Sequence, residues 1–200
     1  MSSSKNNFLL IRSNLILLLS AVFVGIVVSL VAQLFILSAK NIFNFFYNNP
    51  NNLFSININN FELNLSSLIF CLIASIIVCF LIKFKSIDRW HGPADTIYAA
   101  HQKGGTLDTE RGFFSTIASF ISISGGASVG IYGPLVHFGG TLGAFLRRRS
   151  FMPVIPHDII IGSGVAAAIS AGFGAPLAGI IFAHEVVLRH FSMKAVSSVA

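Results

Sequence analysis

Two glycine–proline pairs, Gly92-Pro93 and Gly133-Pro134, are the residues whose types and spacing best suit the binding of a ligand. Proline is favoured in the first turn of a helix, so each pair predicts the start of a helix. A helix start presents unpaired N–H groups and about half a positive charge, which together suit an anion. The alternative is that each pair only marks a turn.

The residues that could form a metal or hydrolytic centre do not have the required spacing. A zinc-protease helix needs its second histidine four places after the first, but Leu188 stands four places after His184, and His190 lies on another face. Ser128 and Ser163 lie in glycine-rich segments, where serine usually bonds to backbone rather than to a catalytic base. We therefore predict no catalytic residue, no metal and no cofactor, and an intramembrane hydrolase is the weakest alternative.

The composition indicates the class of protein to which these helix starts belong. Of the 200 residues, 54% are hydrophobic and 10% are charged, whereas a soluble domain carries roughly 25% charged residues. The mean hydropathy of +0.79 agrees with this. Too few charges remain to cover a water-facing surface. This excludes a disordered, fibrous or ordinary cytosolic protein. The composition therefore predicts a multi-pass membrane protein, with the lipid bilayer as its partner. The net charge of +6 comes from basic residues at segment edges, which favours topology signals over nucleic-acid binding.

The first ninety residues predict a basic tail followed by a helical hairpin at 14–89. Residues 1–13 are polar, and the two uncharged runs, Leu15 to Ala39 and Leu63 to Ile82, are each about as long as a membrane crossing requires. The asparagine-rich loop between them, Asn48 to Asn60, contains no basic residue. Basic residues instead precede the first apolar run and follow the second. This asymmetry predicts a cytoplasmic N-terminus and tail, in a plasma (inner) membrane.

From residue 90 onward the apolar segments become shorter and are interrupted by glycine and proline, at 130–134 and again at 172–176. Non-helical backbone at membrane depth is tolerated only where it is buried in protein or lines a polar cavity. Residues 90–200 therefore predict broken and re-entrant helices around an ion pathway, within an all-α fold. A different broken-helix transporter with a cation substrate is an alternative, and Glu185 is the carboxylate placed to serve it.

Residues 90–191 resemble the CLC family of chloride channels and chloride/proton exchangers. The matching motifs, in order, are 90–94 (WHGPA), 125–134 (GGASVGIYGP), 136–143 (VHFGGTLG) and 174–185 (GAPLAGIIFAHE). The resemblance implies a fold of two inverted repeats, of which this chain supplies the first, so we expect the chain to be incomplete at its C-terminus. It also implies a homodimer with one anion pore per subunit and chloride, or a similar anion, as the transported ligand.

The resemblance further implies which positions frame the anion. The expected pore residues are His91, Gly92, Pro93 and Ala94 from the first motif, and Gly130, Ile131, Tyr132, Gly133 and Pro134 from the second. His91 stands where the family has an anion-contacting serine, so its side chain is expected near the ion.

Two positions depart from the family pattern in ways that bear on proton coupling. Tyr132 replaces the glutamate that gates the pore and carries the proton in exchangers, and Val186, after Glu185, replaces a second carboxylate on the inner proton path. A carboxylate with a pKa near 4 can mimic an anion and titrate, whereas a phenol with a pKa near 10 stays neutral. We therefore predict passive anion conduction with Tyr132 at the gate, and chloride/proton exchange is the alternative.

Overall fold

Helices of very unequal length account for most of the structure. The structure is a computed structural model, and it describes residues 2–47, 55–58, 61–85, 87–102, 107–149, 156–190 and 192–200. In chain order the elements are α1 (Ser2–Tyr47), β1 (Ser55–Ile58), β2 (Phe61–Asn64), α2 (Leu65–Lys85), α3 (Pro93–His101), α4 (Thr109–Ser124), α5 (Tyr132–Arg149), α6 (His157–Phe173), α7 (Pro176–Phe182) with a π-helix (Ala183–Leu188), and α8 (Met193–Val199). The all-helical membrane architecture predicted from the sequence is confirmed, apart from one small hairpin of strands.

Among the described residues, two helices are long and apolar enough to cross a membrane, over Leu15–Tyr47 in α1 and Leu68–Lys85 in α2. Helix α1 begins at Ser2, so the segment expected to be a tail is already helical from that residue. Strands β1 and β2 pair antiparallel between the two helices, with Ser55 opposite Asn64. Apart from 55–58, the loop predicted at 48–60 lies outside the described residues.

One face of α1 packs mainly against α6, with further contacts to α2, α4, α5 and α8, and much of the rest of its surface is exposed. The buried side chains recur every three or four residues, as expected for one stripe of a helix: Val24, Val28, Ala32, Ile36 and Ala39. In contrast, Leu19, Leu30 and Leu34 are each 62% exposed. Because lipid is as apolar as leucine, these exposed side chains are stable where they are, and α1 supports the inner helices through its buried stripe.

Glycines allow α5 and α6 to approach until their backbones touch. A Cβ placed on Gly164 would lie 2.2 Å from the Gly139 carbonyl oxygen, and a Cβ placed on Gly143 would lie 2.7 Å from the Ile160 carbonyl oxygen. Small residues are typical of membrane-helix interfaces because dispersion between closely packed backbones replaces the missing hydrophobic force. This interface fixes where α5 begins, and therefore positions the residues around Tyr132.

The interruption before α5 differs in position from the sequence prediction. Helix α5 starts at Tyr132, so Pro134 lies within its first turn and the non-helical segment is 125–131 rather than 130–134. The physical reason is that the N–H groups of a helix's first turn have no partner inside the helix. Proline is therefore tolerated throughout the first turn, and Pro134 does not have to be the residue at which α5 begins. The second interruption, at 172–176, is shorter, because α6 continues to Phe173 and Gly174 ends it in the left-handed conformation, φ 64°.

The segment before α5 is held by the end of α1. The Tyr47 hydroxyl donates to the Gly125 carbonyl at 2.6 Å, and the tyrosine ring lies against Gly126, whose φ of 88° requires glycine.

We expect Tyr47→Phe to lower the free energy of unfolding by about 1 kcal/mol, because it removes one half-buried hydrogen bond and leaves the ring in place. Thermal unfolding of the detergent-purified protein measures this effect. Tyr98→Phe is the matched control, because Tyr98 is 65% exposed. An equal loss in both variants would contradict the role of Tyr47.

Candidate functional site

Three helix starts meet around one cavity of about 540 Å³. Pro93 begins α3, Tyr132 and Gly133 begin α5, and Ala175 immediately precedes α7. The remaining lining residues are apolar: Val136, Ile169, Phe173, Ala178 and Phe182. Each of the three helices thus directs the positive end of its dipole towards a water-poor space.

The starts of α3 and α5 are in near contact. A Cβ placed on Gly133 would lie 3.8 Å from Pro93 Cγ, an ordinary van der Waals distance. Within the described part of the chain, the N–H groups of Tyr132 and Gly133 have no hydrogen-bond acceptor. The first turns of α5 and α7 contain no acidic residue that would neutralise them. These features together make the start of α5 the most anion-attracting part of the cavity.

Tyr132 is held at the cavity by an aromatic partner that the sequence did not reveal. Its ring stacks on that of Phe173, with centroids 3.8 Å apart and planes 13° apart. The side chain of Tyr132 is nevertheless 44% exposed. Phe173 is the last residue of α6, so the stack also joins the end of α6 to the start of α5. A stacked aromatic ring in this place can narrow the cavity, but it has no carboxylate that could take the place of an anion.

The start of α3 is chemically different, because it carries its own carboxylate. The N–H of Gly92 donates to Asp95 Oδ2 at 2.8 Å, and Arg89 forms an ion pair with the same carboxylate. The N–H of His91 donates to Ser115 Oγ at 2.9 Å. The amides of His91 and Gly92, which the sequence placed around an anion, therefore already have acceptors inside the protein.

His91 turns away from the cavity towards His137. The two imidazole rings lie edge to face with centroids 6.1 Å apart, and His137 is 1% exposed. The Thr96 hydroxyl is hydrogen-bonded to His137 Nδ1 at 2.8 Å. This bond joins α3 to α5, which explains why their starts stay together.

The remaining predicted pore residues are not among those that line the central cavity. Ala94 and Gly130 are exposed and Pro134 is half-buried. Ile131 lines a second cavity on the other side of the start of α5. Of the nine residues, the structure brings Pro93, Tyr132 and Gly133 together in the central cavity.

Glu185 and Val186 lie in the π-helix that follows α7, beyond the lining residue Phe182. Glu185 is exposed and Val186 is half-buried. His184 Nδ1 is 3.2 Å from the carbonyl oxygen of His190, an arrangement that does not ligate a metal. Among the described residues no group of three or more histidine, cysteine, aspartate or glutamate side chains could hold a metal ion.

The sequence reasoning missed the contribution of α7 to the cavity. The signal was available, because Gly174, Ala175 and Pro176 repeat the glycine–proline pattern of the other two helix starts. The aromatic residues Phe173 and Phe182 had no such signal, because an apolar side chain in an apolar helix does not reveal which neighbour it meets.

Comparison with known proteins places this architecture in a family. Residues 70–200, well over half of the chain, match the family model described as voltage gated chloride channel. The curated relatives include a ClcB-like protein of Ralstonia nicotianae, 33% identical over 48% of this chain and 23% of its own length. An H(+)/Cl(-) exchange transporter 5 of Oryctolagus cuniculus is 34% identical over 40% of this chain and 10% of its own length. A voltage-gated ClC-type chloride channel ClcB of Salmonella typhimurium is 29% identical over 50% of this chain and 23% of its own length.

The aligned part of this chain thus spans less than a quarter of each of these relatives. No solved structure matches the chain. The relatives include both channels and exchangers, and the family consists of integral membrane proteins. The family match extends over both the second spanning helix and all three helix starts of the cavity. The chain therefore belongs to the voltage gated chloride channel family.

Proposed function

We propose that the complete protein conducts chloride or a similar small anion passively across a membrane, with Tyr132 at the gate. The observation that carries the proposal is the cavity at which three helix starts meet without a carboxylate among its lining residues. The unpaired N–H groups of α5 bind an anion by hydrogen bonds and by the helix dipole. Because no full positive charge lines this cavity, an anion is held weakly enough to leave.

Proton coupling requires a group that gains and loses a proton along the path. Residues 132 and 186 are tyrosine and valine, so the two positions that serve exchangers carry no carboxylate here. This supports a passive channel over an exchanger. Exchange remains the second candidate, because an exchange transporter is among the relatives.

Two further features belong to the proposal. We propose that the complete protein is a homodimer with one pathway per subunit, each subunit containing a second, inverted repeat. We also propose a plasma (inner) membrane as the location, with the N-terminus on its cytoplasmic side because basic residues lie on that side of the helical hairpin. No cofactor takes part in passive conduction, and the protein is not an enzyme.

Chloride transport by the complete gene product in proteoliposomes tests the proposal. We expect a chloride gradient to drive an electrogenic chloride flux with no uptake of protons into the vesicles. Uphill proton movement driven by chloride would establish exchange instead. A current whose reversal potential follows the cation gradient, or proteolytic activity without any ion flux, would contradict anion transport altogether.

A further inference from the structure

Lys40 is a lone charge in an otherwise uncharged membrane span. The span Leu15–Tyr47 has 33 residues, and Lys40 is its only charged side chain. Lys40 comes 25 residues after Leu15, about 37 Å along the helix at 1.5 Å per residue, so it lies close to the membrane surface rather than within the hydrocarbon core of about 30 Å. Among the described residues, no acidic side chain forms an ion pair with Lys40. Its charge is therefore not neutralised within the described part of the chain.

The surroundings of Lys40 form a second cavity, of about 360 Å³. One wall is the last part of α1, with Lys40 and Phe43, and the other is the segment that leads into α5, with Ser128 and Ile131. None of the described residues that line this cavity is acidic, and Ser128 is exposed, with a hydroxyl that can donate a hydrogen bond. The cavity thus combines one ammonium group with a hydroxyl donor.

This second cavity adjoins the central one through the start of α5. Ile131 lines the cavity of Lys40, and the next two residues, Tyr132 and Gly133, line the central cavity. The two cavities are thus lined by consecutive residues at the start of α5. A positive charge at this point raises the local concentration of anions and lowers that of cations.

We propose that Lys40 forms an anion-collecting site for small inorganic anions at the mouth of the cavity behind Tyr132, on the side of the membrane opposite the N-terminus. The inference rests on the proposed anion transport and adds a residue that attracts the ion. The competing role is that the flexible lysine stem places the ammonium group among lipid headgroups. Lys40 is exposed, but it is one of the residues that line a protein cavity together with the segment leading to α5, and for this reason we favour the anion.

Lys40→Gln in the complete protein tests this site, with chloride influx into proteoliposomes of neutral lipid as the readout. The ionic strength is set with an impermeant organic anion. A unit charge pair in water at about 4 Å changes occupancy roughly fivefold, so at the wider spacing of a cavity we expect the initial influx at low chloride to fall about two- to threefold. The loss should appear near 0.01 M ionic strength, where the Debye length is about 30 Å, and vanish near 1 M, where it is about 3 Å.

Two matched variants complete the experiment. Lys40→Arg keeps the charge and should keep the influx, whereas Lys83→Gln removes an exposed positive charge at the other end of the hairpin and should leave the influx unchanged. Equal influx for Lys40→Gln and the unsubstituted protein at low ionic strength would overturn the Lys40 site alone. A loss that appears only in vesicles of anionic lipid would assign Lys40 to the membrane surface instead. Absence of any chloride influx in the unsubstituted protein would overturn the proposed function, and this inference with it.

Discussion

Tyr132→Glu is expected to reduce chloride flux at neutral pH by about tenfold or more, and to make that flux dependent on acid. The new carboxylate would lie at the first residue of α5, where the neighbouring N–H groups have no acceptor among the described residues. A hydrogen bond to a charged group contributes roughly 1.5–3 kcal/mol, which corresponds to at least about tenfold competition with the permeating anion. The substitution thus places a tethered anion in the cavity.

The direction of the pH dependence follows from the carboxyl group. Its ordinary pKa is about 4.3; hydrogen bonds to the charged form lower the pKa, whereas the apolar lining of the cavity raises it. Flux through the Tyr132→Glu variant should therefore be low at pH 7 and should rise as the pH falls to about 4 and below, where the carboxyl becomes neutral. Proteoliposome chloride flux measured across this pH range gives the result.

Tyr132→Gln is the matched control, because glutamine has the size of glutamate and no charge. We expect its flux to exceed that of Tyr132→Glu at neutral pH and to change little with acid. If the glutamate and glutamine variants transported chloride equally at pH 7, residue 132 would not reach the anion pathway, despite its place in the cavity. A further variant, Tyr132→Phe, keeps the stack on Phe173 and isolates the contribution of the hydroxyl group.

Gly164→Ala is expected to destabilise the folded protein by about 3 kcal/mol, the upper end of typical overpacking penalties. The added Cβ would lie 2.2 Å from the carbonyl oxygen and 3.0 Å from the carbonyl carbon of Gly139. Both atoms belong to the backbone of α5, so no side-chain rotation relieves the clash and the two helices must separate. We expect a lower midpoint of thermal unfolding in detergent, together with loss of flux, because the start of α5 moves with its helix.

Gly25→Ala provides the comparison for this prediction. Gly25 lies within the membrane span of α1, and a Cβ placed on it would have nothing within 4 Å. Alanine is about 1 kcal/mol better than glycine inside a helix, so this variant should be at least as stable as the unsubstituted protein. Equal stability of the Gly164→Ala and Gly25→Ala variants would show that α5 and α6 are not in backbone contact.

The glycine contact also explains how much of the site the sequence could predict. Helix starts at residues 93 and 133 are local properties, because glycine and proline act on their own backbone and nearest neighbours. Membrane spanning is local as well, because a run of about 20 apolar residues suffices. For these reasons the short helix at Pro93, the spanning runs and the substitution at Tyr132 could all be predicted from the order of residues.

Contacts between distant segments could not be predicted in this way. The ring of Phe173 lies on Tyr132, and the start of α7 faces the same cavity as that of α3, but no periodicity couples these segments. His91 illustrates the limit, because its position in a motif placed it near the ion, whereas the packing of α3 on α5 directs its ring towards His137. The cap that Asp95 provides to Gly92 likewise depends on the side-chain rotamer and on Arg89.

The order of residues alone therefore determined that this chain is a membrane protein, that its helices are interrupted near residues 130 and 174, and that tyrosine rather than a carboxylate stands at position 132. The tertiary structure alone decided that three of the helix starts share one cavity and that Lys40 lines the cavity beside it. The physical reason is that helix formation and membrane insertion depend on neighbouring residues. The meeting of helix starts depends instead on backbone-to-backbone packing between segments, such as that of Gly139 against Gly164, which only the folded chain brings together.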